Sequence, residues 1–400
     1  MKLPQYVKNC IDKLDASGYS AYAVGGAVRD SLLGVEPSDW DVTTSATPDE
    51  ILRVFEDERT IPTGIKHGTI TLLADFDGKS VPIEITTYRI DGEYRDSRHP
   101  ESVQFSKNII DDLARRDFSV NAMAFNEKDG IIDAFGGRDD LAIGVIRAVG
   151  DPEKRFSEDA LRILRAFRFS SQLGFEIEEK TLAGACACAP LLKNIARERI
   201  GVEMKKLLSS RGVVYSLTRM IECGVWNVLF EICAPDFSTV NSLSLLESDN
   251  SFARLSVLLE KCSELQRNAF LDSLRLSNAE KKLVCRLMSV KNFNVVGLDS
   301  GIIARRFLHL FGDVFDLALA LFRFYNPQAF ELFNSILSER TKKRALTLSS
   351  LAIKGSDLLP LCESDHKRVG LLLNELLERG IEDPSLNEKE ILMEIAKNIK

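Results

Sequence analysis

The sequence predicts an α+β protein in which a small mixed sheet with helices is followed by an all-α remainder. Three observations predict it. Up to about residue 150, strand-like apolar runs and short helical patterns are punctuated by Gly25-Gly26 and Asp77-Gly78. From about 151 onward glycines become sparse and apolar residues recur at spacings of three and four. The 400 residues, 45% of them hydrophobic, can bury a large core in two or more domains.

Taken in order, residues 5–17 place Val7, Ile11 and Leu14 at helical spacing, with Gly18 as the stop. Tyr22 to Val24 reads as a strand that breaks at Gly25-Gly26 into a short helix carrying Arg29 and Asp30. Gly34 fits the end of that helix, and a second strand carries Asp39 and Asp41, with Trp40 and Val42 facing the core. Thr47-Pro48-Asp49-Glu50 has the form of a capping box with proline in the first turn. Residues 63–68 read as a loop into a strand at about 69–74, and Asp77-Gly78 turns the chain into a partner strand, Val81 to Arg89. On that strand Glu84 alternates with Ile83 and Ile85 and so faces away from them.

Residues 91–100 are polar and suit a linker or a lid. The stretch 109–125 reads as a helix leading into a strand, with Arg115, Arg116, Asp117 and Asn121 grouped among apolar residues. In 155–169 Ser157 suits an N-cap, with Glu158 and Asp159 in the first turn and Leu161, Ile163, Leu164 and Phe167 toward the core. Asp159 and Arg162 then share a helix face. Residues 196–208 read as a helix with a basic face, and 211–290 as amphipathic helices without a catalytic constellation.

A net charge of −7 argues against a generally basic nucleic-acid coat, but basic stripes at 154–168 and 193–206 leave room for RNA. The eight cysteines are scattered. Only Cys186 and Cys188 are close, and a lone C-x-C is no zinc site, so they read as buried thiols in a reducing compartment. There is no run of 18 apolar residues and no apolar stretch at Met1-Lys2-Leu3-Pro4, which predicts a cytoplasmic protein. The four histidines are isolated.

Two carboxylates at i and i+2 on a strand lie on one face, about 6–7 Å apart. With Glu84 as a candidate third acid, Asp39 and Asp41 could hold two hard cations such as Mg2+ over a triphosphate. Gly25 and Gly26 would let the backbone approach that anion closely. The 155–169 helix has two readings. Asp159 and Arg162 could form a surface ion pair worth a few tenths of a kcal/mol. Alternatively they could read a base: cytosine and adenine both present an amino group beside an unprotonated ring nitrogen, whereas uracil and guanine present the reverse. A carboxylate that only accepts and a guanidinium that only donates match the first pair and mismatch the second.

The combination G-G-x-V-R-D with D-W-D downstream resembles the signature of polymerase-β-like nucleotidyltransferases, especially the bacterial CCA-adding enzyme and poly(A) polymerase family. Further segments resemble that family: R-R-D-F-S-V-N-A at 115–122, a hinge-like stretch at 131–150, E-D-x-x-R at 158–162 and L-A-I-K-G-S-D-L at 351–358. Where many relatives continue with a Pro-Gly turn, this chain has Glu363-Ser364-Asp365-His366.

The resemblance implies a polymerase-β-like head at 1–140, a helical neck at 141–208, a body at 209–290 and a tRNA-binding tail at 291–400. It implies catalytic Asp39, Asp41 and Glu84, a two-Mg2+ site on Asp39 and Asp41, and nucleotide contacts from Gly25, Gly26, Arg29, Arg116, Asp117, Asn121, Asp159, Arg162, Arg165 and Arg168. Residues 91–100, with Asp91, Tyr94, Asp96 and Arg98, resemble the family's flexible loop, which is shortened in CC-adding relatives. The partners implied are tRNA, CTP and ATP, without DNA or a membrane, in a monomer or homodimer. The implied activity is addition or repair of the 3′-terminal CCA of tRNA. The alternatives are A-only addition, poly(A) synthesis, or an idle tRNA-binding module.

Overall fold

The structure is a computed structural model that describes residues 1–92, 103–230, 232, 234–297, 299–342, 344, 346–362 and 365–399. The chain forms two compact units, Met1–Asn241 with Cys262–Leu276, and Ser242–Lys261 with Ser277–Lys400.

The first unit opens with α1 (Gln5–Ala16), which buries Val7, Cys10, Ile11 and Leu14 and ends at Gly18, whose φ is 87°. β1 (Ala21–Val24) passes through Gly25 into α2 (Gly26–Leu32), and β2 (Asp41–Thr44) follows. The capping box forms as the sequence predicts, with Glu50 accepting from the Thr47 N–H at 2.7 Å ahead of α3 (Pro48–Val54).

The stretch expected as a loop is partly a strand. β3 (Thr60–Gly64) pairs with β4 (Thr69–Phe76), because a 3-10 turn at Ile65–His67 and Gly68 at φ 81° reverse the chain between them. Asp77 and Gly78, both at positive φ, form the hairpin turn into β5 (Lys79–Thr87). β6 (Arg89–Asp91) and β7 (Val103–Phe105) pair antiparallel. The loop residues Tyr94, Asp96 and Arg98 lie outside the described residues.

After α4 (Ile109–Ala114), β8 (Ala124–Asn126) and β9 (Gly130–Ile132) complete a seven-stranded sheet of order β3-β4-β5-β2-β1-β8-β9. Only β2 and β5 run parallel in it, which makes the sheet mixed. Its core holds Trp40, Val42, Ile70, Ile83 and Ile85 against α1 and α3.

α5 (Gly137–Ile143) leads to β10 (Val145–Ile146), and from there helices dominate. α6 (Pro152–Glu158) and α7 (Leu161–Leu173) are followed by β11 (Glu176–Ile177), α8 (Glu179–Cys188), α9 (Arg197–Leu208) and α10 (Val213–Glu222). One expectation about cysteine changes here. Cys186 at the end of α8 is disulfide-bonded to Cys223 at the end of α10, because helix packing brings together residues 37 apart in sequence. Cys10, Cys188 and Cys362 are the buried free thiols the sequence suggested.

Among its described residues the second unit contains helices and no strands. Phe307, Phe311, Phe322 and Phe333 form an aromatic core in it. A second cluster gathers Ile353, Leu358, Leu376, Ile381 and Leu392. At the departure from the family's Pro-Gly turn, Asp365 caps the helix His366–Glu382 by accepting from the Lys367 N–H at 2.8 Å; Glu363 and Ser364 lie outside the described residues. Among the described residues no helix is long and apolar enough to cross a membrane.

Candidate active site

The acids come first, because the sheet register places them. Asp41 stands directly opposite Glu84 in the parallel β2–β5 pairing, so the two carboxylates share a face. Ile83 and Ile85 are buried on the other side, as the alternation at Glu84 predicts. Asp39 differs from expectation. β2 begins only at Asp41, so Asp39 lies just before the strand, exposed, accepting from the Ser38 hydroxyl at 3.0 Å.

Asp41 feels both acids. Dehydration by its packed surroundings, then the charges of Glu84 and Asp39, push its carboxyl up to about 6 against the pull of Arg116. Repulsion of this kind is what a bound cation would relieve. Among the described residues no three His, Cys, Asp or Glu side chains are gathered closely enough to cage a metal ion. An open pair of carboxylates still fits a hard cation such as Mg2+, which keeps waters and substrate phosphates in its shell.

Cationic groups line the next layer. Gly25 has φ 76° and its N–H donates to Met123 O at 3.1 Å. A Cβ built on Gly25 would meet Arg116 Nη1 at 2.9 Å, so a side chain there would push that guanidinium aside, and the positive φ itself favours glycine. Arg116 is held from behind by Asp112, which is fully buried on α4. Asp112 Oδ2 also lies 3.2 Å from Thr43 Oγ1, and Oδ1 takes Arg115 at 2.8 Å. Asp112 is a site residue that the sequence pattern did not mark. Its only signal was the Asp111-Asp112 doublet ahead of the paired arginines.

A chain of pairs then crosses from the sheet to α7. Arg29 Nη1 donates to Asn121 Oδ1 at 2.6 Å, and Asn121 Nδ2 to Asp117 Oδ1 at 3.1 Å. Asp117 Oδ2 in turn accepts from Arg165 Nε at 2.7 Å. Burial alone would raise the Asp117 carboxyl, but Arg165 and the Asn121 hydrogen bond outweigh it and bring it down to about 2. The guanidiniums of Arg29, Arg165 and Arg168 lie 5.1, 5.2 and 3.8 Å from the ring centre of Phe169.

The 155–169 stretch is not one helix. Ser157 sits inside α6 and donates to Glu153 O, so it caps nothing. Asp159, with φ −138° and ψ 103°, breaks the chain between α6 and α7, and its Oδ1 accepts from the Leu161 N–H at 3.0 Å. The expected Asp159–Arg162 face is therefore absent, because it required continuous helix. Arg162 instead donates to Glu158 at 2.8 Å and to Arg115 O at 2.9 Å. Asp159 pairs with Arg199 of α9 at 3.0 Å. The simple surface ion pair does not form. Arg168, buried, pairs with Glu203 of α9 at 2.5 Å. The helix expected at 196–208 thus turns Arg199 toward the α6–α7 break and Glu203 toward α7.

Residues 21–147 match the model of the Poly A polymerase head domain, and 174–237 that of the probable RNA and SrmB-binding site of polymerase A. The CCA-adding enzyme of Lactococcus lactis is 36% identical over 421 residues, spanning 100% of this chain and 98% of that enzyme. The chain belongs to the CCA-adding enzyme family. The Levilactobacillus brevis CCA-adding enzyme is 46% identical over 228 residues, covering 57% of this chain and 55% of that enzyme. A crystal structure of the Bacillus stearothermophilus CCA-adding enzyme in complex with CTP superposes at a TM-score of 0.80. It has 31% identity and covers 100% of this chain and 99% of its own. The mixed sheet followed by helices, expected from the sequence, is thus the fold of this family.

Proposed function

We propose that this chain adds or repairs the 3′-terminal CCA of tRNA, using CTP and ATP and releasing pyrophosphate. The observation that carries the reading is one continuous set of side chains. It joins the Asp41–Glu84 pair, where Asp41 feels the charge of Arg116, to the hydrogen-bonded run from Arg29 through Asn121 and Asp117 to Arg165, on the helix that follows Asp159. An acidic end suits cations, a cationic middle suits a triphosphate, and a mixed donor–acceptor end suits a base edge. The full-length similarity to CCA-adding enzymes supports the same assignment.

In this reading Asp39 and Asp41 would hold two Mg2+ ions, which would supply acidity at the primer 3′-hydroxyl and positive charge for the leaving pyrophosphate. Glu84, opposite Asp41, orients the hydroxyl and receives its proton. Arg116 and Arg29, with the open backbone at Gly25 and Gly26, receive the phosphates. Asn121 and Asp117 set the sugar, and Asp117 also fixes Arg165, which with Arg168 borders the nucleotide. Asp159 accepts from the amino group of C or A while Arg162 donates to the ring nitrogen. U and G leave both protein groups mismatched, which is how a buried polar site discriminates strongly. Residues 1–140 would form the head, 141–208 the neck, 209–290 the body and 291–400 the tail that carries tRNA.

The test supplies tRNA lacking CCA, tRNA ending in CC, and an unrelated RNA, each with single labelled nucleotides and Mg2+. Sequential C, C and A addition to the first substrate is expected. Extension of only the CC-ended tRNA by A, open-ended A tails on any RNA, or no product would each replace the reading.

A further inference from the structure

Helices α8 and α10 meet at a pair of cysteines outside the site described above. Cys186 lies on the last turn of α8 and Cys223 directly follows α10, with Cα atoms 4.9 Å apart and 37 positions between them in the chain. Each helix is seated on its own neighbour. A Cβ on Gly184 would lie 2.8 Å from Pro152 Cβ, which sets α8 closely against the start of α6. A Cβ on Gly212 would lie 2.8 Å from Ser171 O, and Ser216 donates to the Ser170 hydroxyl at 3.1 Å, so α10 is held against the end of α7. Near the start of α10 the Tyr215 hydroxyl accepts from the Ile177 N–H at 3.2 Å, just ahead of α8. The cysteines close the opposite end of the pair, so opening them frees that end alone.

Both oxidation states are accommodated. Cys186 is exposed, so a small thiol or disulfide reaches its sulfur from solvent, and exposed disulfides are the labile ones. Cys223 Sγ lies 3.8 Å from Leu182 O, which gives a thiol there an acceptor on α8 itself. The other thiol of α8 does not compete. Cys188 is buried, with Sγ 3.7 Å from Glu153 O and 4.0 Å from Ser157 Oγ, and burial pushes its thiol up, away from the reactive thiolate.

We propose that Cys186 and Cys223 form a reversible redox site, at which a low-molecular-weight disulfide such as glutathione disulfide makes the cross-link and an excess of the matching thiol opens it. The Cys186 thiolate attacks one sulfur of the small disulfide. That breaks its S–S bond, releases one small thiolate and leaves a mixed disulfide on Cys186. The Cys223 thiolate then attacks the Cys186 sulfur, forming the protein cross-link and expelling the second small thiolate. Two protein thiols are oxidised, and one small disulfide is reduced to two thiols, which take up the two protons the cysteines lose. The cross-link ties α8 to α10 and removes conformations from the unfolded chain, so the oxidised form is the more heat-resistant.

The experiment treats the folded full chain, and its Cys186→Ser and Cys223→Ser variants, first with glutathione disulfide and then with an excess of reduced glutathione. Peptide mapping after thiol alkylation and thermal unfolding are read at each stage. In the parent, glutathione disulfide should yield a linked Cys186–Cys223 peptide, and reduced glutathione should return both residues to alkylated thiols. The oxidised parent should melt about 5–10 °C above the reduced one, from the loop the cross-link closes. In Cys186→Ser that gap should vanish. Cys223→Ser, which lacks the second nucleophile, should retain one glutathione on Cys186. A parent without the linked peptide overturns the proposal. So does a linked peptide that reduced glutathione leaves intact in the folded chain, which makes the bond a permanent staple. A melting gap that persists in Cys186→Ser, or glutathione mapped to a cysteine other than Cys186 in Cys223→Ser, also overturns it. If Cys223→Ser fails to fold, the parent and Cys186→Ser decide alone, by the same peptide and melting outcomes.

Discussion

Asp112→Asn tests whether the cationic layer of the site is built from behind. Asp112 is fully buried, and its two oxygens serve Arg115 at 2.8 Å, Arg116 at 3.2 Å and the Thr43 hydroxyl at 3.2 Å. Asparagine keeps the shape but loses the charge and turns an amide toward two guanidiniums. Breaking a buried pair by removing one partner costs about 3–5 kcal/mol, and the retained carbonyl places this variant near 3 kcal/mol. For a unit of this size that is a fall in Tm of about 6–12 °C. Arg116, freed from its anchor, should also leave the space over Gly25, so KM for CTP should rise. Burial alone would raise the Asp112 carboxyl, but Arg116 and Arg115 outweigh it and hold it below the usual carboxylate range. Its stabilisation is therefore complete above the ordinary carboxyl pKa and is lost as pH falls through the lower folded value. Thermal unfolding of parent and variant should accordingly converge in acid. A Tm change under about 2 °C, or a gap that widens toward low pH, would refute the assignment.

Asp41→Ala should abolish incorporation while tRNA binding persists in a filter assay; more than a few per cent of parental activity would remove Asp41 from metal binding. Deleting Tyr94 to Arg98 should leave C addition near normal and stall products at CC on a sequencing gel, whereas equal loss of C and A addition would make that loop general scaffold. Arg162→Ala should lower discrimination against UTP by about 10- to 100-fold. It should also cost about 2 kcal/mol in denaturant unfolding, because Arg115 O and Glu158 lose their donor. Gly25→Ala should raise nucleotide KM with tRNA affinity unchanged, since its φ of 76° resists a side chain and the new methyl would push on Arg116.

What could be read from the chain and what could not divide along a physical line. Local chemistry was legible. The α1 pattern, the Thr47–Glu50 box, the Asp77-Gly78 turn and the Glu84 alternation depend on neighbours within a few residues, and each appears in the structure. The strand at Thr60–Gly64 was not legible, because Thr-Ile-Pro-Thr-Gly carries weak strand character and becomes a strand only by pairing with β4.

The site divides in the same way. The candidate residues around Gly25, Asp41, Asp117 and Asp159 could be picked from sequence through the resemblance of their spacing to the family's motifs, since a lone Gly-Gly reads equally as a turn and a lone D-x-D as a solvated strand edge. Their partners could not. Continuous helix through Asp159 was the reasonable inference from spacing, yet α6 ends there and Asp159 turns to Arg199, forty positions away. Asp112, Arg199, Glu203 and the Cys186–Cys223 pair owe their roles to which helices lie side by side. Periodicity tells which face of a helix is apolar and gives no information about which other helix will meet it. The sequence by itself determined the fold class and the kinds of chemical group at the site. The tertiary packing decided which charges neutralise one another, because an ion pair forms between whichever side chains the buried faces bring within about 3 Å, however far apart they stand in the chain.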